Sequence, residues 1–152
     1  MQVELGYGRL GSLLTAIGDR ELGYGRFGAK PQSLGAWGLR YDRLGSRLTG
    51  VGDVEITYDR MGSRMRTAGG WTLEYDRMGG RLCRVGPHDL DFDRMGGRVR
   101  AVGPMRLDYD RLGGRPRRVQ LPDGHGPLSD DLVLALFLVL YLQEETRKRR
   151  SD

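Results

Sequence analysis

A seventeen-residue repeat without a single insertion constrains this chain more than any other feature. Tyr7, Tyr24, Tyr41, Tyr58, Tyr75, Phe92 and Tyr109 fall 17 residues apart, so seven units tile residues 4–122. With each aromatic as position zero, position minus two is Leu5, Leu22, Leu39, Ile56, Leu73, Leu90 and Leu107, while plus two is always Arg and plus four always Gly. The 25 glycines in 152 residues lack the every-third period of collagen and so mark recurring turns. Such a glycine load argues against helical units. Alternating apolar residues, a Gly-rich corner and a second apolar segment ending in Gly read instead as a β-hairpin with about five residues per strand.

Taking Arg-(Leu/Met)-Gly-(Gly/Ser) as the loop fixes a register in which plus one faces plus six, zero faces plus seven and minus one faces plus eight. Charge agrees with it. Asp42 then faces Arg47, Asp59 faces Arg64, Asp76 faces Arg81, Asp93 faces Arg98 and Asp110 faces Arg115, with Asp91 opposite Arg100 and Asp108 opposite Arg117. Each such pair is worth a few tenths of a kcal/mol, so the agreement speaks to register rather than stability. The other face carries Leu and Tyr from the first strand and Leu48, Met65, Leu82 or Val99 from the second. Position plus ten (Ile17, Leu34, Val51, Ala68, Val85, Val102, Val119) has the wrong parity for that face, which predicts a bulge or bend near plus eight or nine. Gly8 and Gly25 replace Asp in the first two units, and Pro31 and Pro116 replace the plus-seven apolar residue in the second and seventh. Less regular pairing is expected of these units.

Residues 131–142, DLVLALFLVLYL, present no polar face from Leu132 onward, so a helix there must be enclosed on every side. A bilayer span takes about 17 to 25 apolar residues, and this shorter run suits a protein interior. The preceding LPDGHGPLSD reads as a connection, with Ser129 or Asp130 as N-cap and Asp130 and Asp131 at the positive end of the helix dipole. A single domain over residues 1–150 follows: hairpin repeats over 4–122, a connection over 123–130, a central helix over 131–146, and a solvated, frayed basic tail over 147–152. Seven one-faced hairpins overfill an open twisted sheet, whereas a barrel of about 11 or more strands leaves room for a helix. The expected fold is mainly β, a closed antiparallel barrel of about 12 to 14 strands around a buried C-terminal hydrophobic helix.

The net charge of +5, from 25 Lys and Arg against 20 Asp and Glu, mildly favours anionic partners. Cys83 is the only cysteine, which excludes an intramolecular disulfide, and the N-terminal MQVELGYGRLG carries no secretory pattern, so a cytoplasmic protein is expected. Catalysis is poorly supplied. His88 and His125 sit in turn-like Pro or Gly settings and, with Cys83, match no zinc spacing, so they read as surface residues in loops and Cys83 as an outward-facing one. The G-x-G motifs fall only within hairpins, which removes a dinucleotide loop. No enzyme, no cofactor and no metal are expected. Nucleic acid is not an expected partner either, because the tyrosines face inward and leave no aromatic platform.

The plus-two arginines Arg9, Arg26, Arg43, Arg60, Arg77, Arg94 and Arg111 would line one rim of a regular barrel, where guanidinium groups match phosphate geometry. The plainer reading is that each caps its own turn or pairs with the adjacent unit's Asp. Candidate phosphate or lipid contacts are Arg43, Arg60, Arg77, Arg94 and Arg111 on the rim, with Arg147, Arg149 and Arg150 in the tail. Met61, Met78 and Met95 at plus three are expected to pack as caps on the barrel end rather than to form an exposed rim.

The ending SDDLVLALFLVLYLQEE, after strand units such as YDRMGGRLCRVG, resembles the LURP-one-related branch of the tubby and phospholipid-scramblase superfamily. That resemblance implies a closed barrel, usually of twelve strands, around a central hydrophobic C-terminal helix. In function it implies a non-enzymatic binding or scaffold module, cytoplasmic and peripheral at the membrane, in contact with anionic phospholipid. Scramblase-like relatives imply the alternative of a membrane-anchored protein whose C-terminal helix inserts. A weaker likeness is to the YD repeats of Rhs and teneurin shells, Y-D-x-x-G-R-L, which implies a structural protein; here an extra Gly or Ser separates the Gly from the Arg. A monomer is expected in each case.

Overall fold

Every unit folds as one hairpin. The computed structural model describes all residues except 9–12, 26–29, 62–63, 78–79, 95–96, 111–113, 125 and 152, and all described side chains except those of 149–151. The described residues form fourteen strands and one helix: β1 (Gln2–Tyr7), β2 (Leu14–Ile17), β3 (Arg20–Tyr24), β4 (Pro31–Leu34), β5 (Trp37–Tyr41), β6 (Leu48–Val51), β7 (Val54–Tyr58), β8 (Met65–Ala68), β9 (Trp71–Tyr75), β10 (Leu82–Val85), β11 (His88–Phe92), β12 (Val99–Val102), β13 (Met105–Tyr109), β14 (Pro116–Gln120) and α1 (Asp130–Ser151). Each strand pairs antiparallel with its neighbours in sequence, and β14 closes on β1, so the barrel has fourteen strands rather than twelve. At closure Val119 faces Val3 and Arg118 faces Glu4. Those are the same repeat positions that pair between consecutive units, as in Val51 with Val54 and Gly50 with Glu55. The junction without a connecting turn thus keeps the register of the linked ones.

Within each unit zero faces plus seven, as in Tyr41 with Leu48 and Tyr58 with Met65, and plus one faces plus six, with Asp42 N–H donating to the Arg47 carbonyl at 2.9 Å. The bulge expected from parity is present in all seven units. It falls on plus eight, so that Arg40 pairs with Gly50 and Leu39 with Val51. Two residues opposite one restore the inward phase, and both Leu48 and Val51 are completely buried, at 0% and 1% exposed. The bulge also corrects the expected pairing of minus one with plus eight. Asp91 faces Ala101 and Asp108 faces Arg118, although Arg100 still reaches Asp91 at 2.5 Å because the bulged side chain points outward. Arg117 turns to Asp110 at 2.8 Å, and Arg115 bonds Glu144 of α1 at 2.6 Å instead of Asp110. The units carrying Pro31 and Pro116 keep the common register, contrary to expectation, because each proline is the first residue of its strand, where a ladder donor is not required.

Successive hairpins are joined by two-residue turns that open on glycine. Gly18, Gly35, Gly52, Gly69, Gly86 and Gly103 have φ of 56 to 62°, and no described non-glycine residue has positive φ. Positive φ at the first turn residue alone identifies a type II′ turn, which suits strand twist and accepts Pro87 and Pro104 at the second place.

The tyrosines fasten neighbouring hairpins. The hydroxyls of Tyr24, Tyr41, Tyr58, Tyr75 and Tyr109 donate to the carbonyls of Leu14, Pro31, Leu48, Met65 and Val99, each ten residues earlier, at 2.5 to 2.8 Å. Phe92 lacks the hydroxyl, and Arg81 lies over its ring at 3.8 Å, against 4.7 to 5.2 Å for Arg47, Arg64 and Arg98 over Tyr58, Tyr75 and Tyr109. Phe92→Tyr is expected to supply the missing bond to the Leu82 carbonyl and add about 1 kcal/mol of stability in urea titration. A destabilised variant would show that the ring cannot accommodate the hydroxyl.

Burial lifts the phenols of Tyr24, Tyr58 and Tyr109 to about 12, and those of Tyr7, Tyr41 and Tyr141 higher still. The fold therefore holds protons that unfolded tyrosine releases near pH 10. This contribution is complete below about pH 10 and is lost as pH rises through about 12. Phenolate absorbance is expected to appear together with loss of the far-ultraviolet β signal in that window. Ionisation near pH 10 with the fold intact would contradict the hydroxyl ladder.

The core is the lumen. Residues 132–141 of α1 are all buried, Leu136 and Leu138 completely, and they pack against Leu34, Met65, Val85, Val102 and the other inward residues of the barrel wall. Ser129 is the N-cap: its hydroxyl accepts from the Leu132 N–H at 3.3 Å, while Asp130 bonds Arg20 at 2.5 Å. The helix continues through the basic segment to Ser151, beyond the expected end at 146, because Thr146, Arg147 and Lys148 keep helical contacts to Leu142, Glu144 and Glu145. Among the described residues no helix is long and apolar enough to cross a membrane.

Candidate functional site

The Asp-to-Arg connections lie at the end of the barrel from which the C-terminal half of α1 emerges, and in the third, fifth and sixth hairpins the carboxylate at plus one accepts from described amides of its own loop. Asp42 accepts from the Ser46 and Arg47 amides at 2.9 and 3.3 Å and from Arg47 Nε at 3.0 Å. Arg47, with those amides, holds the Asp42 carboxyl at about 2, and Arg98 likewise holds Asp93 below its ordinary value. Each of these aspartates is thereby engaged by the arginine at plus six.

This leaves the described plus-two arginines uncommitted among the described residues. Arg43, Arg60, Arg77 and Arg94 are exposed and make no ion pair or hydrogen bond with any described residue, so they neither cap their turns nor pair with a neighbouring Asp. Arg9, Arg26 and Arg111 lie outside the described residues, as do the side chains of Arg149 and Arg150. Arg147 is held inward, with Nη1 on Glu144 at 2.6 Å and Nη2 on the Gly114 carbonyl at 2.8 Å, and it ties α1 to the seventh hairpin. Beside the arginines, Leu44 is 89% and Met61 86% exposed at the loop tips. Met61 therefore does not pack as a cap, because the four-residue loop carries plus three beyond the reach of the barrel wall; Met78 and Met95 lie outside the described residues.

A cavity of about 530 Å³ opens on the same rim between α1 and the first, second and seventh hairpins. Its floor is Leu14, Leu22, Phe137 and Leu140, and its mouth carries Lys30, Arg115, Glu144, Glu145, Arg147 and Lys148. Repeat chemistry explains the location. In units three to six the plus-six arginine covers the next unit's aromatic ring, as Lys30 does in unit two, but unit one offers Leu13 there, and Arg115 of unit seven is drawn away to Glu144 so that Arg117 lies over Tyr7 instead. Sequence reasoning missed this cavity; the signal was the run of departures in the first two units.

The remaining candidates do not converge. His88 opens β11 rather than lying in a loop, its ring edge-on to Trp71 at 5.7 Å, and Cys83 is the bulge residue of the fifth hairpin. His125 lies outside the described residues. The described residues hold no group of three or more His, Cys, Asp or Glu placed to share a metal ion. Compared with family models, with curated proteins and with solved structures, the chain gives no match.

Proposed function

We propose that this protein is a non-enzymatic binding module that docks its long-loop rim on an anionic phospholipid surface, at the cytoplasmic face where such lipids concentrate. The observation that carries the reading is the recurrence of an exposed arginine, without an ion-pair or hydrogen-bond partner among the described residues, beside an exposed apolar tip, Arg43 with Leu44 and Arg60 with Met61, on one end of the barrel. Guanidinium groups bind phosphate bidentately, and each basic residue near an anionic surface contributes about 1 kcal/mol. Apolar tips add shallow insertion at the headgroup boundary. The likeness of the C-terminal helix to the tubby-like superfamily supports the same reading.

Flotation with vesicles tests it. The protein is expected to rise with anionic vesicles at low ionic strength, to stay behind with zwitterionic ones, and to be released as salt shortens the range of the interaction. Equal recovery with both vesicle types would sink the proposal.

A further inference from the structure

We propose that the cavity beside α1 binds a single-chain anionic amphiphile, its tail on Leu14, Leu22, Phe137 and Leu140 and its head at Lys30 and Arg115. Sites for small ligands typically enclose about 300 to 1,000 Å³, mostly apolar, with a few placed polar groups. The cavity fits that description, with an apolar floor and a mouth of four cations and two carboxylates.

The sequence of the rim gives an independent argument. Units three to seven carry Asp at plus one, whereas units one and two, which border the cavity, carry Gly8 and Gly25. Packing does not require glycine there. A Cβ on Gly8 would stand 3.6 Å from the Leu13 Cβ, and one on Gly25 3.7 Å from Gln32 Cγ, both ordinary contacts, and neither residue has positive φ. Lys30 keeps its basic charge at plus six in unit two, donating to the Ser46 carbonyl at 3.1 Å. Two plus-one carboxylates are thus absent beside an apolar cavity, where unit one also carries Leu13 for the plus-six arginine but Lys30 and Arg115 remain. Electrostatic repulsion of an anionic head is lowered where it would enter.

The inference stands apart from membrane docking, which rests on arginines of other loops. Titration of the full chain with cis-parinaric acid, a naturally fluorescent fatty acid, in the absence of vesicles is expected to saturate. The matching fatty alcohol should compete about tenfold less well, the value of one charge-assisted contact. The Gly8→Asp/Gly25→Asp variant restores the repeat pattern, so it should fold as well as the parent yet bind the acid about tenfold more weakly, and Leu14→Trp should fill the floor and abolish binding. Lys30→Gln, a half-exposed change, provides the charge test should the double variant fold poorly. A monoacyl phosphatidylglycerol, titrated alongside, separates the sources. Preference for the free acid assigns a free ligand, and preference for the phospholipid assigns a membrane lipid. Absence of saturable binding to either, equal competition by the alcohol, or unchanged binding in all three variants would overturn the proposal. Flotation of Leu14→Trp with anionic vesicles should be unaffected, because that change leaves the charge of the rim as it was, which distinguishes failure here from failure of docking.

Discussion

Leu136→Asp is expected to abolish folding, whereas Leu142→Asp, six residues further along the same helix, is expected to be tolerated. Leu136 is completely buried, between Ala135 at 0% and Phe137 at 2% exposure, in a lumen lined on all sides by apolar side chains. A carboxyl placed there must either remain protonated without partners or ionise in a low-dielectric interior, and both cost several kcal/mol. Domains are typically stable by about 5 to 15 kcal/mol in total, so the far-ultraviolet β signal and the cooperative urea transition should be lost. Phe137→Ala is the milder version, expected to lower stability by about 3 to 5 kcal/mol while leaving a folded barrel. Leu142 is only half-buried at the mouth and should lose far less. A Leu136→Asp protein that unfolds at the parent's urea midpoint would mean that α1 is not the core of this barrel.

Replacing Arg43, Arg60, Arg77 and Arg94 together by Gln is expected to weaken binding to anionic vesicles by about a thousandfold at low salt. Each arginine contributes about 1 kcal/mol near such a surface, and about 1.4 kcal/mol corresponds to tenfold in affinity. Their exposure and lack of described partners mean that urea stability should stay near the parent's, since the loops are held by Asp42, Asp76 and Asp93 instead. Partition measured against vesicle concentration separates the two quantities. Undiminished partition by a folded variant would move the docking surface elsewhere or remove it.

Much of the barrel was readable because its repeat is strict. The parity of Val51 and its equivalents forced a bulge, and charge matching placed the loop between Asp42 and Arg47. What parity could not supply was the effect of the bulge on the pairs beyond it, so the expected facing of Asp108 with Arg117 moved by one residue to Arg118. Met61 was misplaced because an apolar residue at a loop tip carries no mark in sequence that tells packing from exposure. The cavity was hidden for a different reason. Leu13 appears as a faded copy of a motif position until the closed ring sets it beside Arg115 and Glu144, over a hundred residues away.

By itself the sequence determined the hairpin, its bulge, its turns and the need for an enclosed helix, since these follow from local periodicity, glycine conformation and the absence of any polar face between Leu132 and Leu142. Only the tertiary structure decided that fourteen strands close β14 onto β1 in the common register, that Arg115 leaves its own strand for Glu144, and that described residues of the first, second and seventh hairpins line a cavity beside α1. Such outcomes depend on which units meet across the closure and on where the helix emerges, contacts that a repeating local pattern leaves equally available to every copy.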